Sequence, residues 1–319
     1  MKGNVPLVSV AMATYNGERF LREQLDSIYN QTYKNIEVVV TDDCSTDQTV
    51  TILEEYRLKY GLIYFVNEEN LGFIKNFEKA MSLCNGEYIA LSDQDDIWKP
   101  EKLETLVKEI GEYSLIYSPA REEINAKGEV INSYKDIYFI WLSRFGNGNP
   151  IKRLIACNWV VSHQLLFKRS LIEFALPIPS NQNYHDAWLA LVASKQKGIK
   201  FLSQGLMYYR RHESSFTYPS FRREKNKFKS LFKFFYKQTQ DLKINKFKSE
   251  IKRLTDILNC GLFVQERDFI LDLINYYQDR VNKGFHWRAG FLALKYADLF
   301  FTNDTYLLRI KFVLSSLIT

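Results

Sequence analysis

Cysteine is scarce in this 319-residue chain: Cys44, Cys84, Cys157 and Cys260 stand far apart, form no CxxC pair and have no histidine cluster beside them. That spacing suggests neither a disulfide framework nor a zinc centre, and a reducing compartment fits it best. Long apolar runs are missing too. The longest candidate, residues 291–318, is broken by Lys295, Asp298, Asp304, Arg309 and Lys311, so it falls short of the ~20 residues a spanning helix needs. The apolar stretch from Val5 to Ala13 is too short for a secretory leader of ~15–30 residues and is expected to be a buried first strand. No GxGxxG follows any expected strand, which disfavours a dehydrogenase, and P-loop and nucleophile-elbow signatures are also absent. There is no internal repeat and no low-complexity tract.

What is present is the composition of a soluble globular protein, 46% apolar and 25% charged. The net charge of +6 is local: residues 221–253 hold twelve Lys or Arg against three acids, a net +9 in that segment alone. Within it KNKFKSLFKFFYK interleaves lysines with Phe228, Leu231, Phe232, Phe234, Phe235 and Tyr236. This is the composition of a helix lying on an anionic membrane surface, and equally that of a helix packed on a catalytic domain with its lysines in water. No nucleic-acid-binding motif accompanies the charge.

Four short runs rich in strand formers (7–13, 36–41, 62–66, 87–92) each precede a segment with apolar residues at helical spacing (18–29, 48–60, 73–84, 100–110). This alternation predicts an α/β fold, a mostly parallel sheet with helices on both faces. Pro100 suits the first turn of its helix. A loop is expected at 146–150, helices over 169–175 and 186–197, and short strands at IKFL and LMYY. Beyond Phe216 the chain turns helical, aromatic and basic. The expected division is 1–216 for the α/β domain and 217–319 for a helical C-terminal region.

In such a sheet ligands lie outside the carboxyl ends of the strands. Those ends are unusually polar: Thr14-Tyr15-Asn16-Gly17, Asp42-Asp43-Cys44-Ser45, Asn67-Glu68-Glu69-Asn70 and Asp93-Gln94-Asp95-Asp96. Three acids in four residues repel one another, and a divalent cation makes the cluster tolerable. Residues i and i+2 of an extended segment share a face, so Asp93 and Asp95 can point at one ligand. Hard oxygen ligands select Mg²⁺ or Mn²⁺. As a bare spacing DxDD also fits an exposed turn or a helix cap, and Asp42 and Asp43 could cap the helix near Gln48.

The segments VSVAMATYNGERFLREQLDSIYNQTYKNIEVVVTDDCSTDQT and GEYIALSDQDDIWKPEKL, continued by NLGFIKNFEKA, NWVVSHQLLFKR, HDAWLALVAS and YRRHESS, resemble family 2 glycosyltransferases of GT-A fold over about residues 6–216. The later motifs look most like bacterial polysaccharide enzymes of the rhamnosyltransferase-like kind. The resemblance implies an inverting transfer from a nucleotide diphosphate donor, dTDP-rhamnose or a UDP-sugar, to a saccharide or lipid-linked acceptor. It places Thr14, Tyr15 and Asn16 around the nucleotide, Asp43 at the base N3–H with Asp42 close by, and Lys75 and Asn76 near the nucleotide. It makes Asp95 the direct metal contact and Asp93 a ribose or water-mediated one, with Arg210 at the diphosphate and His212 completing the metal shell. Asp186 becomes the general base, though by position alone it reads as a helix cap. The chain departs from the family at Ser215, where asparagine is common, and at Ser162, where glycine often precedes His163. A metal-dependent nucleotidyltransferase and a non-catalytic membrane-associated scaffold are the competing readings. The expected location is the cytoplasm, peripheral to the inner face of the plasma membrane where the basic segment docks.

Overall fold

A computed structural model of the chain describes residues 5–133, 150–156, 160–213, 240–282 and 287–296. Each expected βα alternation appears: β1 (Val8–Thr14), α1 (Leu21–Tyr29), β2 (Ile36–Asp42), α2 (Thr49–Tyr60), β3 (Ile63–Val66), α3 (Phe73–Ser82) and β4 (Tyr88–Ser92). Next come β5 (Ile97–Trp98), α4 (Lys102–Ile110), β6 (Leu115–Tyr117), β7 (Glu122–Ile124) and β8 (Val130–Ser133). Further on lie α5 (Ile151–Ala156), β9 (Leu165–Lys168), α6 (Ile172–Ala175), α7 (His185–Lys195), β10 (Ile199–Phe201) and β11 (Met207–Arg210).

Period-two alternation drives the sheet. Val8, Val10 and Met12 of β1 and Val38 and Val40 of β2 pack in one cluster with Leu21, Leu25 and Ile28 of α1, Leu53 of α2 and Leu103 and Leu106 of α4. The intervening residues point to the other face, where α3 packs on β1 and β2. Each fully buried Leu or Ile of α1 is worth ~1.5–3 kcal/mol, so the helix is held by its apolar stripe more than by its ends, which carry no side-chain cap. Pro100 lies in a turn ahead of α4 instead of inside it, and its carbonyl accepts from the Thr32 amide at 2.9 Å.

The main sheet has the order β10-β6-β9-β4-β1-β2-β3. All neighbours are parallel except β9, which runs antiparallel to both β4 and β6. A second sheet, β5-β11-β7-β8, was not legible in the sequence pattern.

The chain divides into two compact units. One takes in residues up to Pro150, Trp159–Ile178 and Tyr184–His212; the other takes in Ile151–Asn158, Pro179–Asn183 and residues from Glu213 onward. In the second unit α8 (Gln240–Asn259), α9 (Arg267–Val281) and α10 (Trp287–Lys295) pack through Leu254, Ile257, Phe269, Ile270 and Leu273. Arg253 of α8 donates to the Ile155 carbonyl of α5 at 2.6 Å. The boundary expected at 216, the lysine-aromatic segment 225–237 and Ser215 lie outside the described residues. Among the described residues no helix is long and apolar enough to cross a membrane.

Candidate active site

The turns after β1, β2 and β4 are neighbours because these strands are adjacent and in register, Thr14 opposite Asp42 and Met12 opposite Ser92. β9 runs the other way, so its entrance lies at this same edge, and the 3₁₀ turn Ser162–Gln164 immediately precedes it. Carboxylates from two exits and a histidine from one entrance therefore share one edge, and those after β4 meet the histidine.

The acids after β2 are satisfied by the protein itself. Asp42 accepts from Thr14 Oγ1 at 2.8 Å, the Ser45 amide at 2.8 Å and Ser45 Oγ at 2.6 Å. Asp43 Oδ1 accepts from Asn67 Nδ2 at 2.9 Å and the Leu71 amide at 2.8 Å, and Oδ2 from the Gly72 amide at 2.9 Å. A carboxylate offers about four lone-pair sites, so Asp43 keeps one unspent. Gly72 holds φ +78°, a conformation that favours glycine. Neither acid caps α2, whose cap position is Gln48; Asp47, just ahead of it, accepts from the Thr49 amide at 2.9 Å.

The turn after β1 is strapped to that loop. The Asn16 amide donates to Ser45 Oγ and Asn16 Oδ1 accepts from the Thr46 amide, both at 2.8 Å. Asn16 takes φ +47°, which asparagine tolerates. Gln94 brackets the Tyr15 backbone, accepting from its amide at 2.9 Å and donating to its carbonyl at 3.1 Å, which leaves the Tyr15 ring half exposed.

Two residues expected at the nucleotide are placed otherwise. Asn76 is buried, donates to the Thr41 carbonyl at 2.9 Å and accepts from Asn67 Nδ2 at 2.9 Å, so it braces strand ends. Arg210 is fully buried and all three guanidinium nitrogens are used inside the protein. Nε donates to the Asp95 carbonyl at 2.8 Å, Nη1 to the Asn125 carbonyl at 3.2 Å, and Nη2 pairs with Glu23. Arg210 thus locks the β4–β5 turn in place of reaching for a diphosphate. Lys75 is exposed and pairs with Glu78 at 2.9 Å.

The acids after β4 are held by charge. Asp93 Oδ2 lies 2.6 Å from His163 Nδ1, and Asp95 Oδ2 lies 2.8 Å from His212 Nε2. Asp96 is buried; Oδ1 accepts from the Arg210 amide at 3.0 Å, while Oδ2 has no hydrogen-bond partner and sits 3.7 Å from His163 Nδ1. Burial pushes the Asp96 carboxyl up to about 7 against the pull of His163, and the Asp95 and Asp93 charges add to the rise. Burial also opposes charge on Asp93 and on His163. Their mutual attraction outweighs it, holding Asp93 below the usual carboxylate range and, with Asp96, lifting His163 to about 8. Under this cluster lies Lys102 of α4, buried, donating to the His163 carbonyl at 2.6 Å and 3.9 Å from the centre of the Trp98 ring. Burial pushes its ammonium down to about 7, with Asp96 and Asp93 resisting.

This donor set fits a hard divalent cation. Carboxylate oxygens and imidazole nitrogens converge, one ligand atom each of Asp93, Asp96 and His163 lie within 4.8 Å of one another, and Asp96 Oδ2 is buried without a hydrogen bond. Asp95 and His212 form an adjacent, partly exposed pair.

Asp186 joins the site through Ser162. It occupies the first turn of α7 without being its cap, a place taken by Tyr184, and Oδ2 accepts from the Ser162 amide at 3.1 Å. Ser162 Oγ in turn lies 3.4 Å from Asp93 Oδ1. Burial pushes the Asp186 carboxyl up to about 7 in spite of hydrogen bonds from the Ala187 and Ser162 amides.

Sequence reasoning did not assign Asp96, His163, Lys102 or Glu23 to the site. Asp96 and His163 were visible as titratable residues in motifs already singled out. Lys102 carried no signal, because a lysine in an amphipathic helix reads as a solvated one.

A family model described as "Glycosyl transferase family 2" matches residues 9–174. The dTDP-rhamnosyl transferase RfbG of Shigella flexneri is 32% identical over 227 residues, covering 64% of this chain and 72% of that protein. An uncharacterized glycosyltransferase of Haemophilus influenzae is 43% identical over 105 residues, but the match covers only 33% of this chain and 32% of that protein's length. Among solved structures, S. aureus TarS 1-349 in complex with UDP-GlcNAc superposes with TM-score 0.58 at 22% identity, over 86% of this chain and 72% of that one. A mannosyltransferase of Pyrobaculum calidifontis in complex with GDP-Man and Mn2+ does so with TM-score 0.54 at 16% identity, over 98% of this chain and 86% of that one.

Proposed function

The chain belongs to glycosyl transferase family 2, and from that premise we propose that it inverts the anomeric centre of a sugar carried by a nucleoside diphosphate, in bacterial cell-surface polysaccharide synthesis. The observation that carries the reading is Asp186: a buried carboxyl pushed up to about 7, one amide away from the β4 acids. A base tuned near the working pH combines the right protonation state with driving force for proton transfer.

The nucleotide side is supported by the rigid Thr14–Asn16 and Asp42–Ser45 loops and by the spare acceptor of Asp43. Lys75 stands exposed beside them on α3, whereas Arg210 and Asn76 act as braces. Asp93, Asp96 and His163, with the Asp95–His212 pair beside them, would hold Mn²⁺ or Mg²⁺, which when bound supplies charge neutralisation to the leaving diphosphate. On the opposite face Asp186 takes the proton of an acceptor hydroxyl as the new glycosidic bond forms and the bond to the diphosphate oxygen breaks. The resemblance to a dTDP-rhamnosyl transferase favours dTDP-rhamnose, and that to TarS a UDP-sugar, as donor.

The test is a thermal-shift panel of dTDP- and UDP-sugars with Mn²⁺ and with EDTA. A cognate donor at ~100 times its Kd raises stability by ~2.7 kcal/mol. The shift is expected with Mn²⁺ and lost in EDTA; equal shifts in both would remove the metal from the reading. A response only to free nucleoside triphosphates would point to nucleotidyl transfer.

A further inference from the structure

His185 opens α7 next to Asp186, with Tyr184 in extended conformation as cap and no side chain capping the helix. Its ring is 4% exposed, and neither ring nitrogen has a hydrogen-bond partner. Buried polar atoms are normally paired, and leaving one unpaired costs free energy. The ring lies on Phe77 of α3, centroids 4.2 Å apart and planes at 22°, with the edge of Phe73 at 6.1 Å. Burial pushes its pKa down to about 4 against the pull of Asp93, so at neutral pH it carries one N–H and one lone pair.

That combination matches a hydroxyl, which both donates and accepts, and does not match an anion. The surroundings point the same way. Phe73 and Tyr184, centroids 6.2 Å apart, form a rim over His185 and are 40% and 43% exposed. A mostly aromatic wall with a few fixed polar groups is the usual make-up of a site for a small uncharged ring. Phe73 begins the helix whose lead-in, Leu71 and Gly72, is held by Asp43, so this rim is continuous with the nucleotide side of the site.

Resting on the reading above, we propose that His185 contacts the transferred sugar of the donor, hydrogen-bonding one of its hydroxyls, with Phe73 and Tyr184 as the aromatic rim. Because both ring nitrogens are buried, that contact requires a rim side chain to turn aside.

The experiment compares nucleoside diphosphate with its sugar derivative, UDP against UDP-GlcNAc and dTDP against dTDP-rhamnose, by calorimetry with Mn²⁺ on wild type, His185→Phe and His185→Gln. Phenylalanine keeps the stack on Phe77 and removes both nitrogens; glutamine keeps a donor and an acceptor. The expected result for His185→Phe is unchanged affinity for the free nucleoside diphosphate, a melting temperature at or above wild type, and an approximately tenfold loss in the preference for the sugar derivative. His185→Gln should recover part of that preference. An unchanged preference in His185→Phe overturns the proposal, as does a parallel loss of nucleotide binding and melting temperature, which would mark His185 as a packing residue. If wild type binds neither nucleotide, the donor reading itself falls and this inference with it.

Discussion

Two groups of acids leave the strands that flank β1 at one sheet edge and are treated in opposite ways. After β2, Asp42 and Asp43 are surrounded by hydroxyls, an amide side chain and backbone N–H groups, so their charge is consumed locally and fixes two loops. After β4, Asp93, Asp95 and Asp96 are given histidines and a buried lysine, and one oxygen of Asp96 is left without a hydrogen bond. Neutral hydrogen-bond donors build rigid loops; acids left to histidines, a lysine and one another make a candidate place for a cation. Residue type alone does not distinguish the two, but the partners do.

The sharpest way to break this comparison is Asp186, which is tied to the charged side through Ser162. Asp186→Asn should lower turnover ~100-fold or more, the usual scale for a lost general base, while donor affinity holds. Wild-type turnover should climb with pH up to about 7 and level off above it, because the ionised carboxylate is the active form. The linked stability runs the other way. A carboxyl raised in the folded state stabilises fully below ~4, and that contribution is lost as pH rises through about 7. A flat pH–rate profile would assign the base elsewhere.

Next in size is Asp43→Ala, which removes the acceptor of the Leu71 amide and of one Asn67 Nδ2 hydrogen and leaves the Gly72 amide only its longer bond to Asn70. It should cost ~2 kcal/mol of folding stability, equally with and without Mn²⁺, read by urea denaturation. The opposite signature is expected for Asp95→Ala. Its stability in EDTA should match wild type, since a crowded acid is removed, but the affinity for nucleoside diphosphate with Mn²⁺ should fall about tenfold, ~1.4 kcal/mol. If the two variants behaved alike, the distinction between braced and charged acids would fail.

This contrast also explains what the sequence could and could not reveal. The βα units and their polar strand ends were legible because hydrophobic periodicity and the position of Asp42, Asp43, Asp93 and Asp95 after strand-like runs are local signals. His163 was not, because the rule that ligands gather at strand exits holds for parallel strands and β9 is antiparallel, bringing its entrance to the site. Arg210 was placed at a diphosphate by the resemblance alone. The second sheet, formed by segments far apart in sequence, closes around it, and its guanidinium is used inside the protein. His185 and Lys102 are invisible to periodicity, since burial of a polar tip depends on what other elements place against it.

The smallest expected effect tests the charged side most directly. Lys102 is buried beneath the β4 acids and feels both Asp96 and Asp93, yet its ammonium is pushed down to about 7. Below that pH it is a cation competing with any divalent ion for the same acids; above it, a neutral amine still bonded to the His163 carbonyl. A unit charge ~10 Å from a divalent ion is worth ~0.8 kcal/mol at water-like screening, or ~4-fold in affinity. Lys102→Met should therefore tighten Mn²⁺ binding ~4-fold at pH 6, and the gain should vanish by pH 8.5, where wild-type Lys102 is already neutral. Taking the ratio of variant to wild type at each pH cancels the titration of the acids, which both proteins share. Titration of Mn²⁺ by calorimetry at the two pH values reads that ratio. A ratio constant across pH would make Lys102 a packing residue without electrostatic influence on the cluster. A ratio that falls toward one as pH rises would show that the β4 acids respond to charge, which the hydrogen-bonded acids after β2 should not do.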